Sequence, residues 1–272
     1  AYRLDDATRQ NYARYSPAAL RGEEMAGGSD DGACVFRSDF LDARFADRFD
    51  ACARTHGKAT VLIGDSHAIN VHNALFDAGA GPFFVSIAKG GCRPYQSLES
   101  CSFDRFLSFA ADRQDKIGRV ILHLSGSHLI YDHLGRDDNQ AAFLPGNQWG
   151  LEEGSIAGIA AYISKIPASI SVTWLGPYAE ARVDLKEPHN YSLERLRFNP
   201  RSLEIFAKLD ARLKELASGQ QRYAYVSAYD VLGFNANSLL QGECLTFQDY
   251  DHFSACGEKL FGPVLAASLG LT

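Results

Sequence analysis

The chain has 272 residues, 46% of them hydrophobic, with a formal net charge of −6 and a pI near 5.8. That supplies enough apolar material for one large domain or two small ones. No basic run or face offers a nucleic-acid footprint, and no stretch approaches the ~18 uninterrupted apolar residues of a membrane span.

The sequence begins AYRLDD, without Met and without a basic-then-apolar signal pattern, as expected of a mature or excised piece of a longer protein. Residues 1–57 are polar and irregular, with GGSDDG at 27–32 and an amphipathic stretch at 40–53. They are expected to form an N-terminal extension packed on a main domain of residues 58–272. From Lys58 on, strand-like and helix-like segments alternate. Apolar, β-branched runs occur at 59–64 (ATVLIG), 82–88, 119–125, 169–176 and 223–229. Helix candidates lie at 67–79, 103–114, 153–166 and 201–217, with a last helix after Gly257. This alternation predicts an α/β fold: a three-layer α/β/α sandwich around a mostly parallel five-stranded sheet. Ligands of such sheets bind beyond the carboxyl ends of the strands.

Six cysteines fall into three local pairs. Six allow 15 connectivities, and nearest-pair bonding is the economical one: Cys34–Cys52, Cys92–Cys101 and Cys244–Cys256. Disulfides imply an oxidising compartment such as a periplasm or cell surface.

Ser66 stands just past the first strong strand, in Gly64-Asp65-Ser66-His67. A serine there can cap the following helix or act as a nucleophile. A nucleophile needs a base within hydrogen-bond reach and a third group to hold the base. Asp249 and His252, three apart near the C-terminus, can supply both. Asp251, adjacent to His252, is expected to diverge from it. Asp65 is expected to shape the turn as an Asx residue, and His72 and His123 to be structural. A metal is the competing use for Asp249, Asp251 and His252. Neither HExxH nor a paired CxxC accompanies them, so no metal is expected. No nucleotide-binding glycine motif follows a strand, so no cofactor is expected either.

The Gly64-Asp65-Ser66-His67 turn, with Asp249-x-x-His252 near the end, resembles the SGNH (GDSL-like) hydrolase superfamily over about residues 58–272. The resemblance implies a flavodoxin-like fold and assigns a triad of Ser66, Asp249 and His252. It also implies an oxyanion hole from the backbone of Ser66, a glycine after the second strand (Gly91 in preference to Gly90) and a third donor. At that third position Gly126-x-His128 replaces the family's Gly-x-Asn, so His128 takes the place of an asparagine.

Three details resemble one subfamily more closely: GDSH, Gly91-Cys92-Arg93-Pro94, and an Asp-x-x-His-x-Ser ending followed by Gly257. These mark the periplasmic SGNH domains fused to membrane acyltransferases of family three, which O-acetylate bacterial surface polysaccharides. The implied partners are a polysaccharide or glycan acceptor and an acyl donor delivered by a fused or associated membrane acyltransferase domain. The implied location is periplasmic or otherwise extracytoplasmic, tethered to the inner membrane in the full-length protein. A secreted esterase or deacetylase using water as acceptor is one alternative, and a non-catalytic carbohydrate-binding module another. The connections at 129–153 and 177–200 carry Trp149, Tyr178 and Tyr191, aromatic faces on which sugars could stack.

Overall fold

The computed structural model describes residues 6–21, 30–96, 98–132, 140–183, 185 and 196–271. His189, Asn190, Tyr191 and the Asp137-Asp138 pair lie outside the described residues.

Two short helices, α1 (Asp6–Tyr15) and α2 (Pro17–Arg21), come first, then β1 (Val35–Ser38) and α3 (Ala43–His56). The alternation follows: β2 (Ala59–Gly64), α4 (Ser66–Asp77), β3 (Phe84–Ala88), α5 (Phe103–Asp112) and β4 (Ile117–His123). A hairpin of β5 (Ile130–Asp132) and β6 (Trp149–Leu151) leads into α6 (Glu153–Lys165) and β7 (Ser171–Leu175). The chain closes with α7 (Pro200–Ser218), β8 (Ala224–Val226), α8 (Ala228–Leu232), β9 (Leu240–Gln241), β10 (Cys244–Leu245) and α9 (Ala255–Leu269).

The central sheet has the order β1-β3-β2-β4-β7-β8, and every pairing in it is parallel. β3 is buried at all five positions and β2 at five of six. Strands buried on both faces require cover on both faces. α4 and α9 pack together as part of that cover. Elsewhere Phe45 and Phe49 of α3 meet Phe109 of α5 in edge-to-face contacts, and Phe103 of α5 meets Tyr162 of α6.

The sheet has six strands rather than the expected five. β1 was hidden because only Phe36 of its four residues is buried, so an edge strand of this length leaves no apolar run. The segment expected as a strand over 223–229 also ends early. Ser227 accepts a hydrogen bond from Asp230 N–H and starts α8, which turns the chain after Val226. α9 begins at Ala255, ahead of Gly257, because the Ser254 hydroxyl caps it by accepting from Gly257 N–H.

Register makes the site. Gly64 of β2 pairs with Ala88 of β3 and His123 of β4, and His123 pairs with Leu175 of β7. Four carboxyl ends therefore stand side by side. The order reverses at β2, which has β3 on one side and β4 on the other, so the crevice of a parallel sheet opens there. Gly64 allows the close packing at this point. A Cβ on it would fall 1.8 Å from the His123 carbonyl oxygen and 2.6 Å from Ala68 Cβ.

All three expected disulfides are formed: Cys34–Cys52, Cys92–Cys101 and Cys244–Cys256. Among the described residues no helix is long and apolar enough to cross a membrane.

Candidate active site

Asp65, not Ser66, caps α4. Its side chain accepts from His67 N–H at 2.9 Å, the Asx turn expected of it. Its other oxygen accepts from Ser125 N–H at 2.9 Å, which ties the end of β4 to the start of α4. Ser66 is thus the first helical residue, partly exposed between the buried Asp65 and His67. Its hydroxyl is not the cap of this helix, which removes the capping alternative for this serine. The Ser66–His252 hydrogen bond of an assembled triad is not formed in this structure; such bonds often tighten only when substrate binds.

The loop of Asp249 and His252 is brought to α4 by two stitches. Asn70, one turn along from Ser66, accepts from Phe253 N–H at 3.2 Å. The His67 ring meets the His252 ring edge to face with centroids 5.2 Å apart. Asp249 shapes the loop by accepting from the backbone N–H groups of Asp251 (3.0 Å) and His252 (2.7 Å). Its carboxylate then lies 3.1–3.2 Å from His252 Nδ1. That leaves Nε2 as the nitrogen free for proton transfer.

Asp251 does not diverge as expected. Its Oδ1 lies 2.9 Å from the same His252 Nδ1, an ion-pair contact without an aligned hydrogen bond. The tight turn made by Asp249 brings neighbouring side chains to one side, which a helix or strand would not do. The Oδ2 of Asp251 faces His67 Nε2 at 3.5 Å. Burial opposes a charge on His252, but the hydrogen bond to Asp249 and the contact with Asp251 outweigh it and push its pKa up to about 10. Burial likewise opposes the charge on Asp251, yet His252 and His67 hold its carboxyl well below the usual carboxylate range.

The glycine turn after β3 abuts the serine. A Cβ on Gly90 would meet Ser66 Cβ at 3.8 Å, and Gly91 has φ +75°, open to glycine without strain. The Cys92–Cys101 bond begins at the next residue. His128 sits in a 3-10 turn (Ser127–Leu129) after β4, half-buried, with Arg93 Nη2 within 2.6 Å of both ring nitrogens. Arginine only donates, so a neutral His128 accepts from it on one ring nitrogen.

Tyr178 is a correction. It is fully buried and stacks on His67 with centroids 4.8 Å apart, so it offers no face to a sugar. Its hydroxyl donates to the Asp251 carbonyl at 3.3 Å, and burial raises its pKa well above the ordinary range. Trp149 is half-buried beneath Lys208. His72 and His123 are buried, as expected of structural residues.

Sequence reasoning missed Glu180. It is fully buried; its Oε1 accepts from Ser125 Oγ (2.8 Å) and Ser127 N–H (3.1 Å), and its Oε2 from Arg182 Nε (2.8 Å). Oε1 also stands 4.0 Å from His67 Nε2. The signal was a Glu-x-Arg just beyond an apolar strand, within a run buried from Val172 to Arg182.

Among the described residues, His67, Asp251 and His252 form a group whose ligand-type atoms lie within 4.8 Å of one another. Asp251 already contacts both imidazoles, so a cation would have to displace that arrangement. No metal chemistry is assigned to it.

Comparison with solved structures places the fold. The periplasmic domain of a lipopolysaccharide acetyltransferase from Salmonella ser. Paratyphi A is 15% identical, with a TM-score of 0.55 over 98% of each chain. The C-terminal catalytic domain of peptidoglycan O-acetyltransferase A from Streptococcus pneumoniae is 17% identical, with a TM-score of 0.43 over 78% of this chain and 93% of that one. A carbohydrate acetylesterase from Sinorhizobium meliloti is 12% identical, with a TM-score of 0.46 over 78% and 99%. No curated protein sequence matches the chain. The family model described as "SGNH domain (fused to AT3 domains)" matches residues 33–267. With its serine turn, glycine turn and Asp-x-x-His loop gathered at the sheet's switch point, the chain belongs to that family of SGNH domains.

Proposed function

We propose that the domain is a serine-dependent O-acyltransferase that moves an acetyl group through acyl-Ser66 onto a hydroxyl of a bacterial cell-surface polysaccharide. The observation that carries this reading is the meeting of two loops. Ser66 opens α4 at the switch point, and His252, paired with Asp249, is stitched to that helix through Asn70 and His67.

Ser66 Oγ attacks the acyl carbonyl while His252 Nε2 takes its proton. Asp249 holds the imidazole and stabilises the imidazolium. The developing oxyanion is received by the N–H groups of Ser66 and Gly91 and by His128. As the donor's oxygen leaves, His252 returns the proton to it. An acceptor hydroxyl, deprotonated by His252, then attacks acyl-Ser66 and frees the serine. These steps draw on no cofactor.

Membership of a family fused to AT3 domains supports the partner in this scheme, a membrane acyltransferase domain that supplies the acyl donor. It also supports an extracytoplasmic, membrane-tethered location for the full-length protein. The shared fold with a lipopolysaccharide acetyltransferase domain agrees with a glycan acceptor.

The test gives the purified domain an activated acetyl ester and bacterial polysaccharide fragments. Mass spectrometry should find O-acetylated sugar formed faster than free acetate. If a panel of fragments yields only acetate, at a rate no acceptor changes, the domain is an esterase.

A further inference from the structure

The Asp-x-x-His loop holds a carboxylate that the triad does not use. Asp251 is buried and placed between two imidazoles, with Oδ1 2.9 Å from His252 Nδ1 and Oδ2 3.5 Å from His67 Nε2. Several elements hold it there. Its own N–H donates to Asp249, its carbonyl accepts from the Tyr178 hydroxyl, and Tyr178 stacks on His67. His67 has no exposure to solvent, so it has little room to move away.

We propose that Asp251, braced from behind by His67, is a second carboxylate partner of His252 and a positioning residue of the acyl-transfer reaction.

The geometry divides the work. Asp249 makes aligned hydrogen bonds to Nδ1 and so fixes the ring's tautomer and direction. Asp251 makes a close charge contact without an aligned bond, so it does not compete for that proton. What it adds is attraction for the imidazolium in a site largely closed to water, where a charge contact counts for more than at the surface. His67 orients it: with a proton on Nε2, the ring donates towards Oδ2.

Among the described residues, few other groups face this cluster. His252 is faced by Asp249 and Asp251 from its own loop and by His67 from α4. His67 is faced in turn by Tyr178 and Glu180 from the segment after β7, and by His123 of β4 at a centroid distance of 6.3 Å. Among the described residues, Asp251 and Asp249 are the two carboxylates in contact with His252 itself. The raised pKa of His252 agrees with two such partners.

The arrangement can be tested without turnover, so its failure is distinct from failure of the acyltransferase reading. The His252 ring of the purified domain is titrated by nuclear magnetic resonance. In the unaltered protein it should be protonated at pH 8; a ring neutral at pH 7 overturns the proposal whether or not any variant folds. Asp251→Asn should lower the His252 midpoint by at least about one pH unit, a tenfold change in its protonation equilibrium. An unchanged midpoint in folded Asp251→Asn also overturns it. His67→Gln, whose amide can still donate, should stay near the parent value. His67→Leu should fall towards Asp251→Asn, and a His67→Leu midpoint equal to the parent's removes the bracing role.

Discussion

Arg182 donates from Nε to Glu180 Oε2 at 2.8 Å, and the two side chains are 1% and 0% exposed. The pair joins two site-bearing segments. Glu180 Oε1 holds the turn that leads to His128, through Ser125 and Ser127. Arg182 N–H donates to the Tyr250 carbonyl at 2.7 Å, inside the Asp249–His252 loop. Arg182 adopts φ 51°, a left-handed conformation costing on the order of 1 kcal/mol for a non-glycine residue. Its guanidinium lies over the rings of Phe143 and Tyr250.

Breaking that pair by Glu180→Gln takes the Glu180 charge away from a buried guanidinium. Urea unfolding should show a loss of about 3–5 kcal/mol. Removing both charges with Glu180→Leu and Arg182→Met together should cost less than Glu180→Gln alone, because neither charge of the pair stays buried. A Glu180→Gln protein within about 1 kcal/mol of the parent would contradict this account.

Ser66→Ala should separate chemistry from folding. Asp65 holds the helix cap and the tie to Ser125, so the alanine leaves both intact. Acyl transfer should fall by at least ~10³-fold, with the melting temperature within a degree or two. Asp65→Ala should do the reverse to stability. It strips two buried N–H groups of their acceptor and should cost at least about 1–3 kcal/mol.

The local parts of this site were legible in the sequence because each lies within a few residues. A glycine-ended apolar strand running into Asp65-Ser66-His67 reads as a strand-to-helix turn. Asp249 and His252 sit at a spacing that one turn can close. The cysteine pairs are likewise near neighbours. What was hidden depends on contacts distant in sequence or on the shape of a turn. Glu180 reaches Ser125 and Ser127 across more than fifty residues. Tyr178 looked like a loop aromatic until the chain buried it against His67. Asp251 was expected to diverge because a regular element would send it away; the Asx-like turn made by Asp249 sends it back.

Two histidines should shape stability against pH in opposite directions. His252 has its folded pKa raised from 6.5 to about 10. Its contribution is fully present below pH 6.5 and is lost as pH climbs through 10. The loss is on the order of a few kcal/mol, discounted because a quarter of the side chain meets water. Burial, helped by nearby His67, lowers the folded pKa of His123 to about 4. The folded protein therefore resists protonating His123, and stability falls as pH drops from 6.5 towards 4. Denaturation midpoints measured from pH 4 to 10 should peak near pH 6–7. Acyl transfer, which needs neutral His252, should instead keep rising above that peak. A rate profile that plateaus below pH 7 would show that His252 is not held protonated during turnover.

The Cys92–Cys101 bond should matter to the reaction as well as to the fold. It closes a nine-residue separation immediately after Gly91. In the chain-entropy model that is worth about 2–3 kcal/mol. The turn it anchors begins at Lys89, whose carbonyl accepts from Cys92 N–H at 3.2 Å, and it brings Gly90 against Ser66. In the proposed mechanism, losing the bond loosens the turn that presents the Gly91 N–H to the oxyanion. Cys34–Cys52 offers the control. Its separation of 18 residues predicts about 3 kcal/mol, but it ties the approach to the edge strand β1 to α3, away from the serine. Replacing each pair by alanines should therefore lower stability by similar amounts. Only the Cys92→Ala, Cys101→Ala protein should also lose kcat per folded molecule, by about tenfold or more if one oxyanion donor is displaced. Equal kcat in the two double variants, measured below their melting temperatures, would remove Gly91 from the oxyanion hole.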